Sequence, residues 1–275
     1  METEEPSLLP YIFLAAALIA IIIYFGIRAL ESIFVIFFNK PVYTHFYFFP
    51  KRLPKDEEEK LLKNFPFYSK LSKRHRLYFQ HRVIKFREDK NFEGRDGFEV
   101  TTEVKNMISA TAVMLTFGMR NFYLGILQKI ILYPQEFSSN TTGKIHKGEF
   151  NPLMHVLVLS WKDFKEGFEN GKDNLNLGIH EFTHVLQVNS RTNRSTGANI
   201  FLDANKKLEG LLKDEEIRKK LLDSRFFRDY AFTNQYEFLA VLVENFIESP
   251  QEFKENFPRF YRKIREMLNF NFAGY

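Results

Sequence analysis

His180-Glu-Phe-Thr-His184 is the stretch that decides how this chain is read, because a helix through it sets two imidazoles one turn apart on one face. In that arrangement both His side chains reach one zinc ion, while the glutamate beside the first sits over the water at the metal's open position. His180 and His184 are thus candidate metal ligands, and Glu181 is the candidate general base. Asn174-Leu-Asn176 offers N-cap residues, and Leu177, Ile179, Phe182, Val185, Leu186 and Val188 supply an apolar helix around the two imidazoles. The bland alternative is a buried helix whose His residues only hydrogen-bond. A third ligand decides between the two.

The chain has no Cys, so thiolate ligands and disulfides are excluded and a carboxylate is the natural third ligand. Three stand downstream: Asp203, Glu209 and Glu237. The first two lie at the shorter spacing, but neither is embedded in apolar sequence, and Glu209 sits in a Lys-rich helix that reads as solvated. Glu237 opens the run Glu-Phe-Leu-Ala-Val-Leu-Val-Glu244, where an ionised carboxylate is costly to bury without a partner. Glu244, two turns further on, suits a hydrogen bond from the far nitrogen of a metal-bound His. Asn234-Gln-Tyr-Glu237 also has capping-box spacing, so spacing alone leaves Glu237 open between ligand and cap. Tyr230 carries a phenolic O–H suited to a developing oxyanion, against the plain reading of a core or surface tyrosine. His146 and His155 read as loop and strand residues, not ligands.

The 275 residues suffice for one substantial domain, and 45% hydrophobic with 27% charged residues marks a globular chain. The 32 Phe read as core packing. A net charge of +5 is spread among nearly as many acids, so nucleic acid is not an expected partner. Two basic clusters, Lys70, Lys73, Arg74, Arg76, Arg82, Lys85 and Arg87, then Arg259, Arg262, Lys263 and Arg265, read as solvated helix faces. The first also suits an anionic bilayer surface.

A bilayer is expected because Leu8 to Ile27 carries no charge, a length that crosses a hydrocarbon core of about 30 Å at about 1.5 Å per residue. The acidic start Met-Glu-Thr-Glu-Glu argues against a signal peptide. Arg28, Lys40, Lys51, Arg52 and Lys55 follow the span and no Lys or Arg precedes it, which places the remainder in the cytoplasm by the positive-inside rule. Ser32 to Phe38 reads as an interfacial continuation. The expected organisation is therefore a membrane anchor over 1–38 (span about 8–27), a Pro-rich linker over 39–56, and a catalytic domain over 57–275. Asn140-Thr-Thr and Asn193-Arg-Ser match the glycosylation acceptor pattern but are idle in a cytoplasmic domain.

Within that domain, helices are expected over 67–86 and 101–119, before any strand. Strands follow at 128–133 and 153–161, flanking a polar hairpin or loop over 134–152. The strand ending at Trp161 is expected at a sheet edge, where an extended peptide can pair with it. A polar loop over 189–199, charged helix over 202–222, an apolar helix over 233–247 and an amphipathic one over 253–270 complete the chain.

Gly178-Ile-His-Glu-Phe-Thr-His184, Tyr230-Ala-Phe-Thr-Asn-Gln-Tyr-Glu237-Phe-Leu-Ala-Val, Val156-Leu-Val-Leu-Ser-Trp161 and Ile131-Leu-Tyr-Pro134 together resemble the Mlc titration factor A (MtfA) family of zinc peptidases. The resemblance covers most of the chain after about residue 60. It implies one Zn²⁺ held by His180, His184 and Glu237, with Glu181 as base and Tyr230 assisting the transition state. It further implies a gluzincin-like activity on peptide or protein substrates, aminopeptidase-like in kind, and a regulatory protein as a further partner. Thr183 and Val185-Leu186-Gln187 depart from the family pattern, as does the membrane anchor. The expected fold is α+β, a zincin domain that is mostly helical with a small mixed sheet behind an N-terminal transmembrane helix. The expected function is that of a membrane-anchored zinc metallopeptidase. The alternative is a membrane-tethered regulatory module with a structural or vestigial zinc site.

Overall fold

The computed structural model describes residues 8–139 and 143–275, so the triplet at Asn140 lies outside the described residues. The chain divides into two units, Met1–Val42 and Tyr43–Tyr275, and the residues expected as a linker fall on both sides of that division. The first unit holds α1 (Leu9–Phe38), one uninterrupted helix of 30 residues. Ser32 to Phe38 continues the same helix, which stops where Asn39 turns left-handed at φ 49 and its N–H donates to the Val35 carbonyl. Among the described residues, α1 is the one helix long and apolar enough to cross a membrane.

The second unit is mostly helical around a small mixed sheet. It runs α2 (Lys55–Asn64), α3 (Pro66–Lys70), α4 (Lys73–Asp89), β1 (Asn91–Gly94), α5 (Thr102–Leu115) and β2 (Lys129–Tyr133). Next come β3 (Phe137–Ser138), β4 (Ile145–His146), β5 (Gly148–Asn151), β6 (Val156–Ser160) and α6 (Trp161–Glu169). The last third is helical: α7 (Leu177–Thr192), α8 (Thr196–Leu211), α9 (Glu215–Ser224), a 3₁₀ turn at Asp229–Phe232, α10 (Gln235–Glu248), α11 (Pro250–Asn256) and α12 (Pro258–Met267).

The strands order β1-β2-β6-β5, with β1, β2 and β6 parallel and β5 antiparallel to β6. Two sequence expectations are corrected here. A strand, β1, separates α4 from α5, where two helices were expected before any strand. The strand ending at Ser160 is interior, so the sheet edge belongs to β5, inside the stretch read as a polar hairpin or loop. Both missed strands are four residues long, too short to show an alternating pattern. β3 and β4 form the hairpin expected there.

The core centres on α5, which is buried along nearly its whole length and packs on both α4 and α7, while α7 in turn packs on β5 and β6. Phenylalanines fill much of it, among them Phe79, Phe86, Phe117, Phe182 and Phe246. Gly178 matters to this packing: a Cβ there would stand 2.5 Å from the Phe164 ring, so only glycine lets α7 lie this close to α6.

Arg82, read as part of a solvated basic face, is instead fully buried. Its guanidinium donates to the carbonyls of Thr116, Phe117 and Thr44 at 3.0–3.2 Å and to the Tyr47 hydroxyl at 2.6 Å, with no carboxylate among these partners. It lies 4.7 Å from the Phe122 ring centroid, a cation–π contact that offsets part of the cost of burial. Helical periodicity hid this, because a long basic residue on a charged helix reads as solvent-facing until its acceptors are known.

Thr44 and Tyr47 belong to an irregular segment, Tyr43–Leu53, that lies along α4. His45 sits within it against Phe117, with ring centroids 4.4 Å apart, and both its ring nitrogens are buried without a partner. Burial first, then the nearby Arg82, His75 and Arg74, pull its pKa down to about 2. The unfolded chain binds a proton here below about pH 6.5 and the folded chain does not, so His45 costs stability as pH falls from that value. Between about pH 7 and pH 5 the loss should approach about 2 kcal/mol, and urea midpoints should show it shrinking in His45→Phe.

Candidate metal centre

The site is built where α7 crosses α10. Asn176 caps α7, its side-chain oxygen accepting from the Ile179 N–H at 3.0 Å, and this fixes the turn from which His180 and His184 project. Asn234 caps α10 in the same way, accepting from the N–H groups of Tyr236 and Glu237. The Glu237 carboxylate turns to the two imidazoles. Its Oε2 lies 2.8 Å from His180 Nε2 and 3.4 Å from His184 Nε2, and the two Nε2 atoms are 3.1 Å apart.

Among the described residues, this trio is the group of His and acidic side chains whose ligand atoms converge closely enough for one metal ion. Asp203 is not brought to it and pairs with Lys207 at 2.6 Å on an exposed helix face. Glu209 accepts from Asn205 at 2.7 Å. His155 bonds the Ile126 carbonyl, and His146 lines the cleft without joining the trio.

Behind His180 stands a second carboxylate. Glu244, 1% exposed, lies 3.5 Å from His180 Nδ1 and accepts from the Asn176 backbone N–H at 3.2 Å. The spacing of two turns between Glu237 and Glu244 thus lets one helix face both ring nitrogens of a single imidazole. Arg228 is the partner that sequence reading missed. It pairs with Glu244 at 2.7 Å and donates to the Asn174 carbonyl at 2.6 Å. An arginine outside any motif, in a short connection between helices, gives no signal before the chain is folded.

The electrostatics follow from this crowding. Burial works against a charged His180, but hydrogen bonds to Glu237 and Glu244 outweigh it and push the pKa up to about 9. Burial works against an ionised Glu237 as well, yet the two imidazoles hold it well below the usual carboxylate range. Glu181 is raised, chiefly by burial. Tyr230 is pushed up to about 12 by burial and by the Glu237 carboxylate, so its phenol keeps its proton at neutral pH. Its ring centroid is 5.9 Å from that of His180.

Glu181 and Tyr230 line the same cleft of about 460 Å³, whose wall includes β4 and the start of β5. Gly148 opens β5 directly over Glu181: a Cβ there would stand 2.6 Å from the Glu181 side chain. The edge strand and the glutamate are therefore in contact, and only the missing side chain permits it.

Residues 47–269 match the family described as glucose-regulated metallo-peptidase M90, the MtfA family. The chain belongs to this family. Membership implies a metal ion and hydrolysis of peptide bonds. A relative, the uncharacterized protein slr2042 of Synechocystis sp., is 25% identical over 240 residues, spanning 79% of this chain and 85% of its own.

This M90 chain should depend on Glu244 and Arg228 for its metal. Removing Arg228 as Arg228→Ala leaves a buried carboxylate without its counter-charge, and metal affinity should fall by about 10–100-fold, as for other partners of metal-bound His. Competition with a chromophoric chelator measures it.

Proposed function

We propose that this chain is a zinc-dependent, zincin-like peptidase tethered to a membrane by α1, with its second unit on the cytoplasmic side. The observation that carries the reading is the convergence of His180, His184 and Glu237 beside a buried Glu181. A tetrahedral zinc site with bonds of about 2.0–2.1 Å holds neighbouring ligand atoms about 3.3 Å apart, and the three separations of 2.8, 3.1 and 3.4 Å fit it. Two imidazoles and one carboxylate are a catalytic ligand set, whereas a structural site closes with four protein ligands. This favours an enzyme over a module with a structural ion.

A bound zinc ion supplies Lewis acidity, lowering the pKa of water toward about 7 and polarising a peptide carbonyl. Glu181 takes the proton of the attacking water and returns it to the leaving amine. Its burial suits this exchange, because a carboxylate in an apolar wall accepts a proton more readily than one in water. Tyr230 donates its phenolic proton as a hydrogen bond to the oxyanion that develops on the carbonyl oxygen. Glu244 and Arg228 hold His180 in orientation. β5 ends the sheet, so one side of its backbone is unpaired within it, and an extended peptide added there runs past Glu181.

The tether reading rests on α1, whose 30 residues measure about 45 Å and exceed a hydrocarbon core of about 30 Å. The cytoplasmic placement rests on the excess of Lys and Arg after the span.

Glu181→Gln should abolish hydrolysis of a peptide library while zinc stays bound at one ion per chain; unchanged activity sinks the assignment of the base. Glu237→Ala should lose the ion, read by metal analysis, and full retention would sink Glu237 as a ligand. Gly148→Ala should keep the ion but lower kcat by about 10²-fold, since displacing a reacting group by about 1 Å costs that much.

A further inference from the structure

The segment that opens the second unit carries a patch that the peptidase chemistry does not use. Tyr43–Leu53 is fixed to its unit from one side only. Tyr47 and the Thr44 carbonyl accept from Arg82, the Lys51 N–H donates to His81 Nδ1 at 3.0 Å, and the Leu53 N–H donates to Gln80 Oε1 at 3.0 Å. With His45 and Tyr47 turned inward, Phe46, Phe48 and Phe49 are turned out, at 66%, 79% and 93% exposure. The rings of Phe46 and Phe48 touch edge to face at 4.9 Å, and Phe46 reaches Tyr43 at 6.3 Å. Single exposed apolar residues are ordinary, but three phenylalanines within four positions on an anchored backbone form a contiguous patch.

We propose that Phe46, Phe48 and Phe49 dock the peptidase unit on the bilayer surface, with their rings in the interfacial layer. The proposal rests on reading α1 as a membrane span. Phe46 is eight residues beyond Phe38, and an extended chain covers at most about 28 Å over that count. The patch is therefore tethered within that reach of the end of α1, close enough to meet the bilayer surface. Its chemistry matches that layer, since the headgroup–acyl boundary takes up phenylalanine side chains flanked by Lys and Arg. Its charge matches as well: residues 39–55 carry Lys40, Lys51, Arg52 and Lys55 and no Asp or Glu, which suits anionic headgroups. Lys51 shares its charge with Glu88, while Arg52 and Lys55 stand exposed. The inward contacts make the docking rigid, because the backbone that carries the rings is hydrogen-bonded to α4. A docked unit is held in one orientation at the surface instead of swinging on a tether.

Trp161 is the sole tryptophan, so Trp161→Phe in the full chain gives a silent background for single probes. Phe49→Trp, Ile19→Trp and Leu153→Trp are reconstituted separately in vesicles of neutral and anionic lipid, with bromine placed either high or deep on the acyl chains. The expected result is loss of most Phe49→Trp emission to the shallow bromines, loss of Ile19→Trp emission to the deep ones, and no quenching at Leu153→Trp, which is 92% exposed elsewhere on the unit. An unquenched, water-like Phe49→Trp beside a quenched Ile19→Trp overturns the docking and leaves the span intact. A blue-shifted but unquenched Phe49→Trp overturns it in favour of burial against a second copy of the chain. Equal quenching at Leu153→Trp overturns it as non-specific adsorption. An unquenched Ile19→Trp removes the span, and the docking with it.

Discussion

His180 is held between two carboxylates that belong to another helix, and the interior of the peptidase unit is arranged around that contact. Its Nε2 faces Glu237 and its Nδ1 faces Glu244, two turns apart on α10. Burying this much charge costs free energy unless every group finds its partner, so α7 and α10 have little freedom in rotation or register. Arg228 supplies the remaining counter-charge from the connection that precedes α10. The phenylalanine core around these helices provides the apolar burial.

From this contact the site follows in layers. The caps at Asn176 and Asn234 start the two helices at the points that bring the ligand atoms within 3.4 Å. The sheet then sets its edge strand against Glu181, and Gly148 makes the approach possible. The cleft is thereby bounded by the helix that carries His180 and Glu181 and by the start of the edge strand. In the proposed reaction the same buried wall that makes Glu181 a better proton acceptor also positions it beside the peptide.

The helical parts were legible because their signals are local. The i, i+4 pair of His on an apolar helix, the N-cap residues and the apolar run after Glu237 all appear within a few turns. Their spacing pointed to residues that the structure brings together. Glu237 was readable as a capping-box residue reaching back to the Asn234 backbone or as a ligand; in the structure Asn234 caps the helix through its own side chain, and the Glu237 carboxylate turns to the imidazoles. What could not be read were β1, β5, Gly148, Arg228 and the burial of Arg82. Each owes its role to a neighbour far along the chain, and a strand of four residues or a lone arginine has no period to reveal it.

The sequence by itself therefore determined the family, the helix that bears two imidazoles and a glutamate, the apolar helix that bears two more carboxylates, and a segment apolar enough to cross a membrane. Helical spacing and hydrophobic patterning are properties of single stretches, so they survive without a fold. Only the tertiary structure decided that the Glu237 carboxylate meets His180 and His184, that Arg228 neutralises Glu244, that β5 rather than β6 forms the edge beside Glu181, and that three phenylalanines face outward. These depend on which surfaces are covered when distant elements pack, and burial, unlike periodicity, is not a property of any one stretch.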